Sequence, residues 1–241
     1  MDSMRKTALV AGALYLLTFI SIPTLVLYNS VLKDPRYVLT AGGDTALFWG
    51  ALLEVIVALA GIGTAVVLYP VVKRQNQAFA LGFVGTRVLE ASMIFIGVVS
   101  LLSLATLHQD VATTASADPA TLVLIGTPFV ATYNSAFLLG QTLMPAMNAF
   151  LLGYLMYKSG LVPRIIPTLG LIGGVLMASS VVGQIIGINE AISVWSGIAL
   201  IPIFLWELSL GLYLLLKGFK KSGVLAIEGQ EQRSAPAYAA A

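Results

Sequence analysis

The sequence predicts an all-α fold, a polytopic membrane protein with six transmembrane helices in one bundle. The chain of 241 residues is only 10% charged and is 58% hydrophobic, whereas a soluble domain carries about 25% charged residues. Apolar stretches of about 18 residues or more, long enough to cross a bilayer, recur along nearly the whole chain. Lysine and arginine cluster between these stretches, as is typical of the loops of membrane proteins.

The predicted spans cover about 7–28, 46–72, 78–107, 129–157, 165–188 and 192–216. The first is expected to be a retained helix, because it is too long for a signal peptide, lacks a convincing cleavage site and is followed by further spans. Pro23 is expected to kink or end its last turns. A polar connection over 29–44 leads to the second span, which has Trp49 near its start and Tyr69 near its end, where interfacial aromatic residues are common.

The later spans differ from one another in composition. The segment 121–157 is too long for one ordinary span, so a short interfacial helix over 120–126 is predicted before Pro128. The fifth span is rich in glycine, which suits close approach of helices. Residues 1–222 are predicted to form the transmembrane domain, and residues 223–241 a disordered cytoplasmic tail.

The distribution of basic residues predicts the orientation. Six spans place both termini on one side, together with Arg5, Lys6, Lys73, Arg74, Lys158, Arg164, Lys217, Lys220, Lys221 and Arg233. The other side has only Lys33 and Arg36. Because cytoplasmic loops carry the excess of positive charge, both termini are predicted to be cytoplasmic.

Composition also excludes several classes of site. The net charge of +2 is small and gives no case for nucleic acid. The chain has no cysteine, so disulfides and thiolate sites are excluded. Its only histidine, His108, is expected at a helix end, so no His-based metal site or catalytic base pair is available. Asp110 and Asp118 are expected to be solvated loop residues. No cofactor or metal is predicted, and the expected partner is the lipid bilayer.

Charged residues lie inside the third and sixth spans. Arg87 and Glu90 interrupt the apolar run 78–107, where each charge costs roughly 3 kcal/mol to insert. A helical rise of 1.5 Å places Arg87 about 14 Å, Glu90 about 18 Å and Glu207 about 15 Å from the same surface. We predict that Arg87 contacts Glu90, which shares its helix face, or Glu207, or bridges both with its five donors.

Glu54 is a third carboxylate within a span, about 12 Å from the opposite surface. It either reaches toward water or faces the core. If it faces the core, Arg87 is the one positive charge available to three carboxylates. At least one glutamate is then expected to be protonated at pH 7. Two interpretations of the network remain open at this point, a structural clamp between the third and sixth helices and a substrate or proton site.

The fourth span carries a polar seam. Asn134, Gln141 and Asn148 are seven residues apart, which places them in one stripe on a helix. The seam could line a cavity, with Pro145 freeing the carbonyl of Gln141 for a ligand or water. It could equally supply hydrogen bonds that pack the helices. Gln184 in the fifth span fits either arrangement.

Several segments together resemble a known family. They are Lys6 to Ala8 leading to Gly12 to Thr18, Leu68 to Arg74, Arg87 to Ala91, Gly153 to Arg164, and Glu207 to Leu214 with Lys217 and Gly218. They resemble the bacterial membrane proteins grouped as domain-of-unknown-function family 4386, and the resemblance covers roughly 5–218. It implies a multi-pass protein of the bacterial cytoplasmic membrane and no known activity.

Three functional hypotheses follow. The first is a small-solute or proton-coupled carrier that uses the Arg87 network, and a water-accessible cavity reaching Arg87 would favour it. The second is a structural or regulatory membrane subunit in which the network only locks the helices, and a dry, fully paired cluster would favour it. An intramembrane enzyme is the third hypothesis. A serine nucleophile would need a nearby base, and Ser92 lies two residues from Glu90. Side chains two residues apart do not face each other on a helix, so this hypothesis is the weakest. The sequence does not predict the oligomeric state.

Overall fold

A computed structural model describes residues 3–40, 43–113 and 118–234. Within these residues the chain is 86% helical and contains no strand. The α-helices are α1 (Ser3–Leu17), α2 (Thr24–Leu27), α3 (Asn29–Lys33), α4 (Thr45–Val72), α5 (Gln77–Thr113), α6 (Pro119–Phe137), α7 (Met144–Ser159), α8 (Ile165–Ile185), α9 (Val194–Leu216) and α10 (Lys221–Ser234). The all-α prediction is confirmed.

Six helices in the described part of the chain are long and apolar enough to cross a membrane. We number them spans 1 to 6, and they cover Ser3–Leu27, Thr45–Val72, Gln77–Val111, Pro119–Ser159, Ile165–Ile185 and Val194–Leu216. Each span packs against the next one along the chain, and span 6 packs against span 1. The six spans therefore close into a ring, whose interior holds the buried core.

Span 4 differs from the prediction. Instead of a short interfacial helix followed by a separate span, Pro119–Ser159 is one helical stretch. Asp118 caps its start by accepting a hydrogen bond from the Thr121 amide, and Pro128 lies within α6 without ending it. A π-helical turn over Leu138–Leu143 joins α6 to α7. Its 41 residues measure about 60 Å at the usual rise, so part of this span extends beyond a hydrocarbon core of about 30 Å.

The first helix breaks before Pro23, where a kink or an end was predicted, whereas the other end of the chain differs from the prediction. Helix α1 ends at Leu17, before Pro23, and a 3₁₀ turn over Thr18–Ser21 follows it. Pro23 has no amide hydrogen and cannot continue the helical ladder. In place of the predicted disordered tail, Lys221–Ser234 forms helix α10, and its Ile227 is buried in the core. Residues 235–241, which complete the predicted tail, lie outside the described residues.

Glycines permit close packing at two helix crossings. A Cβ atom at Gly12 of α1 would lie 2.7 Å from the carbonyl oxygen of Gly211 in α9. A Cβ at Gly173 of α8 would lie 2.8 Å from the amide nitrogen of Ile203, also in α9. Neither crossing has room for a side chain. The expectation that the glycines of span 5 allow close approach is confirmed for Gly173.

The bundle has two chemically different ends. The basic end holds the turn at 73–76, the connection at 160–164 and the segment 217–220, with Arg5, Lys6, Lys73, Arg74, Lys158, Arg164, Lys217, Lys220 and Lys221. Arg5 stabilises the end of α9 by donating to the carbonyls of Leu214 at 3.0 Å and Leu215 at 2.8 Å. The opposite end holds the start of α4, the end of α5, the start of α6 and the connection between α8 and α9.

Candidate functional site

Arg87 lies inside the ring and contacts two carboxylates. Its Nη1 lies 3.0 Å from Oε2 of Glu90, one helical turn along α5. Its Nη2 lies 3.4 Å from Oε1 of Glu207, which is on α9. Only 3% of the Arg87 side chain is exposed, so the guanidinium is turned away from the outer surface of the ring. The predicted contact is present with both partners.

Helix lengths explain why these residues meet. Counted from the basic end, Arg87 is ten residues into α5 and Glu207 is nine residues from the end of α9. Both therefore lie about 14–15 Å from that end. The rings of Tyr15 and Phe83 lie 5.3 and 5.8 Å from the Arg87 Cζ atom, within the range of cation–π attraction. Gly61 of α4 faces the guanidinium, and a Cβ there would make an ordinary van der Waals contact of 3.8 Å with Nη1.

One side of this cluster is sealed. Glu90 accepts a hydrogen bond of 2.6 Å from Nδ2 of Asn148 on α7. Oδ1 of Asn148 in turn accepts a hydrogen bond from the hydroxyl of Thr86. Asn148 is 2% exposed and Glu90 is 9% exposed. On this side the charges are paired and largely enclosed, which is the arrangement expected of a structural clamp.

The other side of the cluster is open. The Glu207 side chain is 19% exposed and lines a cavity of about 230 Å³. Glu207 is the only charged side chain among the described residues that line it. The remaining lining residues come from spans 1, 4, 5 and 6 and are Thr18, Phe19, Ser21, Ile22, Thr24, Leu25, Phe137, Gln141, Pro145, Met177, Leu200, Ile203 and Phe204. The cavity extends from Glu207 toward the opposite end of the bundle.

Two buried polar atoms of the cluster have unused hydrogen-bonding capacity. The hydroxyl of Tyr15 and Nε of Arg87 have no hydrogen-bond partner among the described residues. A buried polar group without a partner costs about 1–3 kcal/mol. Both atoms belong to residues that meet each other, since the Arg87 guanidinium lies 5.3 Å from the Tyr15 ring.

Glu54 faces the core, which answers the question that the sequence left open. It is 1% exposed and accepts hydrogen bonds from Tyr133 at 3.1 Å, from Gln141 at 3.1 Å and from Tyr28 at 3.4 Å. Within the described residues it forms no ion pair. Glu54 is seven residues from Gly61 along α4, about 10 Å. The expectation that Arg87 would pair with three carboxylates is therefore wrong. The arginine forms ion pairs with Glu90 and Glu207, and Glu54 lies in a separate site.

The predicted polar seam is divided among three places. Gln141 and Asn148 both face inward, and their spacing of seven residues, about 10 Å, lets one reach Glu54 and the other Glu90. Asn134 is instead exposed beside a second cleft near Tyr37. Gln184 donates to Ser180 at 3.3 Å in α8. The π-helical turn over Leu138–Leu143, which contains Gln141, interrupts the regular register on which the single stripe depended.

The structure also contains a buried cluster around Asp44 and His108 that was not predicted from the sequence. Nδ1 of His108 lies 2.8 Å from the Asp44 carboxylate, and Nε2 lies 2.9 Å from the Thr40 carbonyl oxygen. Tyr37 and Gln109 also donate to Asp44. Burial by itself raises the pKa of Asp44, but hydrogen bonds from Tyr37, His108 and Gln109 outweigh it and hold that pKa below its ordinary value.

A topological signal could have revealed this pair. Asp44 immediately precedes α4, and His108 lies near the end of α5. Successive antiparallel helices bring these two positions to the same end of the bundle. Asp118, which was expected to be a solvated loop residue, is exposed and its carboxylate also caps the start of α6. In the described part of the chain, no group of three or more His, Cys, Asp or Glu could hold a metal ion.

Fold and site together define a class of protein, a six-helix bundle of membrane-spanning dimensions with a charged cluster inside its ring. The chain belongs to the family described as Domain of unknown function (DUF4386), whose sequence model matches residues 10–218. The resemblance inferred from the sequence is thereby confirmed. The matched region contains Glu54, Arg87, Glu90 and Glu207. No curated protein and no solved structure matches the chain significantly.

Proposed function

We propose that this protein is a proton-coupled carrier of small solutes in the bacterial cytoplasmic membrane. The observation that carries the proposal is the cavity that extends from Glu207, on the open side of the Arg87 cluster, toward one end of the bundle. An ionisable group within a membrane span that faces a cavity is characteristic of substrate and ion pathways. The bilayer is one partner, and a small molecule and a proton are the others.

Membrane integration is supported by the outer surface of the ring. Large apolar side chains point away from the core on every span, among them Val10, Leu59, Ile96, Leu124, Val175 and Ile201. Apolar surface on this scale is stable against lipid and unstable against water. The excess of basic residues at one end supports cytoplasmic termini, because positive loops remain on the cytoplasmic side.

Charge balance gives Glu207 its role. The cluster contains one guanidinium and two carboxylates, so a second positive charge or a proton would balance it. Glu90 has the shorter contact with Arg87 and a further hydrogen bond from Asn148. Glu207 has the longer contact and lies at the cavity. Glu207 is therefore the carboxylate that exchanges its partner when a ligand or proton arrives, while Glu90 holds the arginine in place.

Gln141 provides a route for coupling between the two acidic sites. It lines the same cavity as Glu207 and donates to Glu54. It also lies within the π-helical turn of span 4, a feature that occurs frequently at functional sites. A ligand that displaces Gln141 would change the hydrogen bonding of Glu54. Ligand binding at Glu207 and protonation of Glu54 are in this way linked through one side chain.

Reconstituted vesicles that contain a pH-sensitive dye test the proposal. The vesicles are challenged in turn with small amines, amino acids, organic acids and sugars. At least one class is expected to produce a pH change that depends on the wild-type protein and disappears with Glu207→Gln. Glu228→Gln, at an exposed position in α10, serves as the matched control and is expected to behave as wild type. The absence of any protein-dependent pH change across the panel would reject the carrier.

The sealed side of the cluster supports a second candidate, a structural or regulatory membrane subunit. Arg87, Glu90 and Asn148 join spans 3 and 4 through buried contacts, and such contacts can fix one arrangement of helices. This candidate predicts that Glu207→Gln changes stability while no solute in the panel gives a signal. The two candidates therefore predict different results in the same vesicle experiment.

A further inference from the structure

We infer that the ligand of the cavity at Glu207 is a small organic cation, a protonated amine with a compact apolar body. This inference rests on the cavity being the binding site, as proposed above, and adds the chemical class of the ligand. Charge, aromatic lining, hydrogen-bonding capacity and size each bear on it.

The charge of the cavity favours a cation. Glu207 is the only charged side chain among the described residues that line it. Arg87 lies behind Glu207, 3% exposed, with each terminal nitrogen directed to a carboxylate. A ligand that enters the cavity therefore meets a carboxylate before it meets the guanidinium. An anionic ligand would be repelled there, and a cation would share Glu207 with Arg87.

Aromatic side chains give the cavity a second means of recognising a cation. Phe19, Phe137 and Phe204 all line it. The rings of Phe19 and Phe204 meet edge to face, with their centroids 5.4 Å apart and an interplanar angle of 83°. The negative faces of such rings attract ammonium groups, most strongly where water is excluded. The same rings, together with Met177, provide apolar surface for the body of the ligand.

The polar groups of the lining are mainly acceptors. The hydroxyls of Thr18 and Thr24 donate to backbone carbonyls of their own helical turns, at 2.7 and 2.6 Å. Because each hydroxyl has a single hydrogen, these two groups offer the cavity only lone pairs. Gln141 directs its amide nitrogen to Glu54. A ligand that donates hydrogen bonds therefore finds acceptors at Thr18, Thr24 and Glu207, while Ser21 and the second Gln141 amide hydrogen remain as donors.

The volume limits the size of the ligand. The cavity measures about 230 Å³, below the usual range of about 300–1,000 Å³ for small-molecule sites. A single aromatic ring with one ammonium group fits a space of this size. The inference therefore excludes large lipophilic cations and peptides as ligands.

Three ligands with the same ring test the charge preference. Benzylamine, benzyl alcohol and benzoate are cationic, neutral and anionic at neutral pH, and each is titrated calorimetrically into the full-length protein in detergent. We expect benzylamine to bind roughly tenfold or more tightly than benzyl alcohol, and benzoate to bind most weakly. Equal affinity for benzylamine and benzyl alcohol would indicate a merely apolar site and overturn the inference, as would tighter binding of benzoate.

Two variants assign the preference to the cavity. Glu207→Gln is expected to remove the preference for benzylamine while leaving the affinity for benzyl alcohol unchanged, and Glu228→Gln is expected to preserve both affinities. Phe204→Leu, which retains the charge, is expected to weaken benzylamine binding severalfold. A preference that persists in Glu207→Gln overturns the inference. If Glu207→Gln does not fold, the inference is tested by the affinities of the wild-type protein for the three ligands and by the affinity of Phe204→Leu for benzylamine.

This experiment separates the ligand class from the proposed function. Binding of amines without any pH signal in vesicles would reject the carrier and leave the cation site standing. A pH signal produced only by acids or sugars would support the proposed carrier function and reject the inference that the ligand is a cation.

Discussion

Arg87 and Glu207 lie 120 residues apart in the sequence, and their side chains meet at 3.4 Å inside the ring. This contact links span 3 to span 6, which are not neighbours along the chain. It also lies between two different surroundings. On one side of Arg87 the charges are sealed by Asn148, and on the other side they border a cavity. The arginine therefore joins two spans and holds a carboxylate at the edge of the cavity.

Replacement of Arg87 by Ala is expected to destabilise the protein by about 3–5 kcal/mol, because two carboxylates lose their buried counter-charge. Arg87→Lys is expected to recover part of the loss, since an ammonium cannot span both carboxylates in the same geometry. The measurement is the denaturation midpoint in detergent. Arg36→Ala, at an exposed position, is the control. Wild-type stability of Arg87→Ala would contradict the prediction.

Asn148→Ala is expected to cost about 1.5–3 kcal/mol, because the asparagine donates to a buried charged carboxylate. Asn148→Asp should cost more, since it places a third carboxylate next to Glu90, and acid should relieve part of the loss. Equilibrium unfolding at several pH values measures both effects. Asn134→Ala, at an exposed position of the same span, should have little effect. If Asn148→Ala and Asn134→Ala lower the free energy of unfolding by similar amounts, the buried hydrogen bond from Asn148 to Glu90 is not important for stability.

Glu54→Gln is expected to keep nearly wild-type stability, because its amide oxygen can accept from Tyr133 and Gln141 as the carboxylate does. Glu54→Leu is expected to cost about 1–3 kcal/mol, since it leaves buried donors without an acceptor. Thermal unfolding of the two variants in parallel is the measurement. If Glu54→Gln is as unstable as Glu54→Leu, negative charge itself is required at this position.

Asp44 is expected to make the connection before α4 sensitive to acid. Its pKa is lower in the folded protein than in the unfolded chain, so it contributes stability that is present above the unfolded pKa of about 3.9 and is lost as the pH falls through the lower folded pKa. Asp44→Asn should therefore destabilise the protein at neutral pH, and its difference from wild type should shrink below about pH 4. Unfolding midpoints between neutral and acid pH test this.

Glu190→Gln, an exposed substitution at the same end of the bundle, is the control for Asp44→Asn and should leave the pH profile unchanged. A constant difference between wild type and Asp44→Asn over the whole pH range would show that Asp44 acts only through packing. His108, Tyr37 and Gln109 are the titratable and polar groups that face Asp44, so substitutions there should alter the same profile.

The sequence by itself determined the features that depend on composition and on position along a helix. Six apolar stretches predict six spans, and the fixed rise of the helix places Arg87, Glu90 and Glu207 in one layer. The pairing of Arg87 with Glu90 is local, because residues three apart share a helix face. Burial of so many charges in hydrocarbon would be too costly unless they met.

Only the tertiary structure decided which way each helix faces. In spans that are apolar on all sides, hydrophobic periodicity does not distinguish the lipid face from the core face. The orientation of Glu54 and the exposure of Asn134 were therefore undetermined until helix packing fixed them. The π-helical turn changed the register of the polar seam, and the folded connection before α4 brought Asp44 to His108. The cavity at Glu207 exists only because four spans meet around it, and such long-range packing leaves no trace in any single segment of sequence.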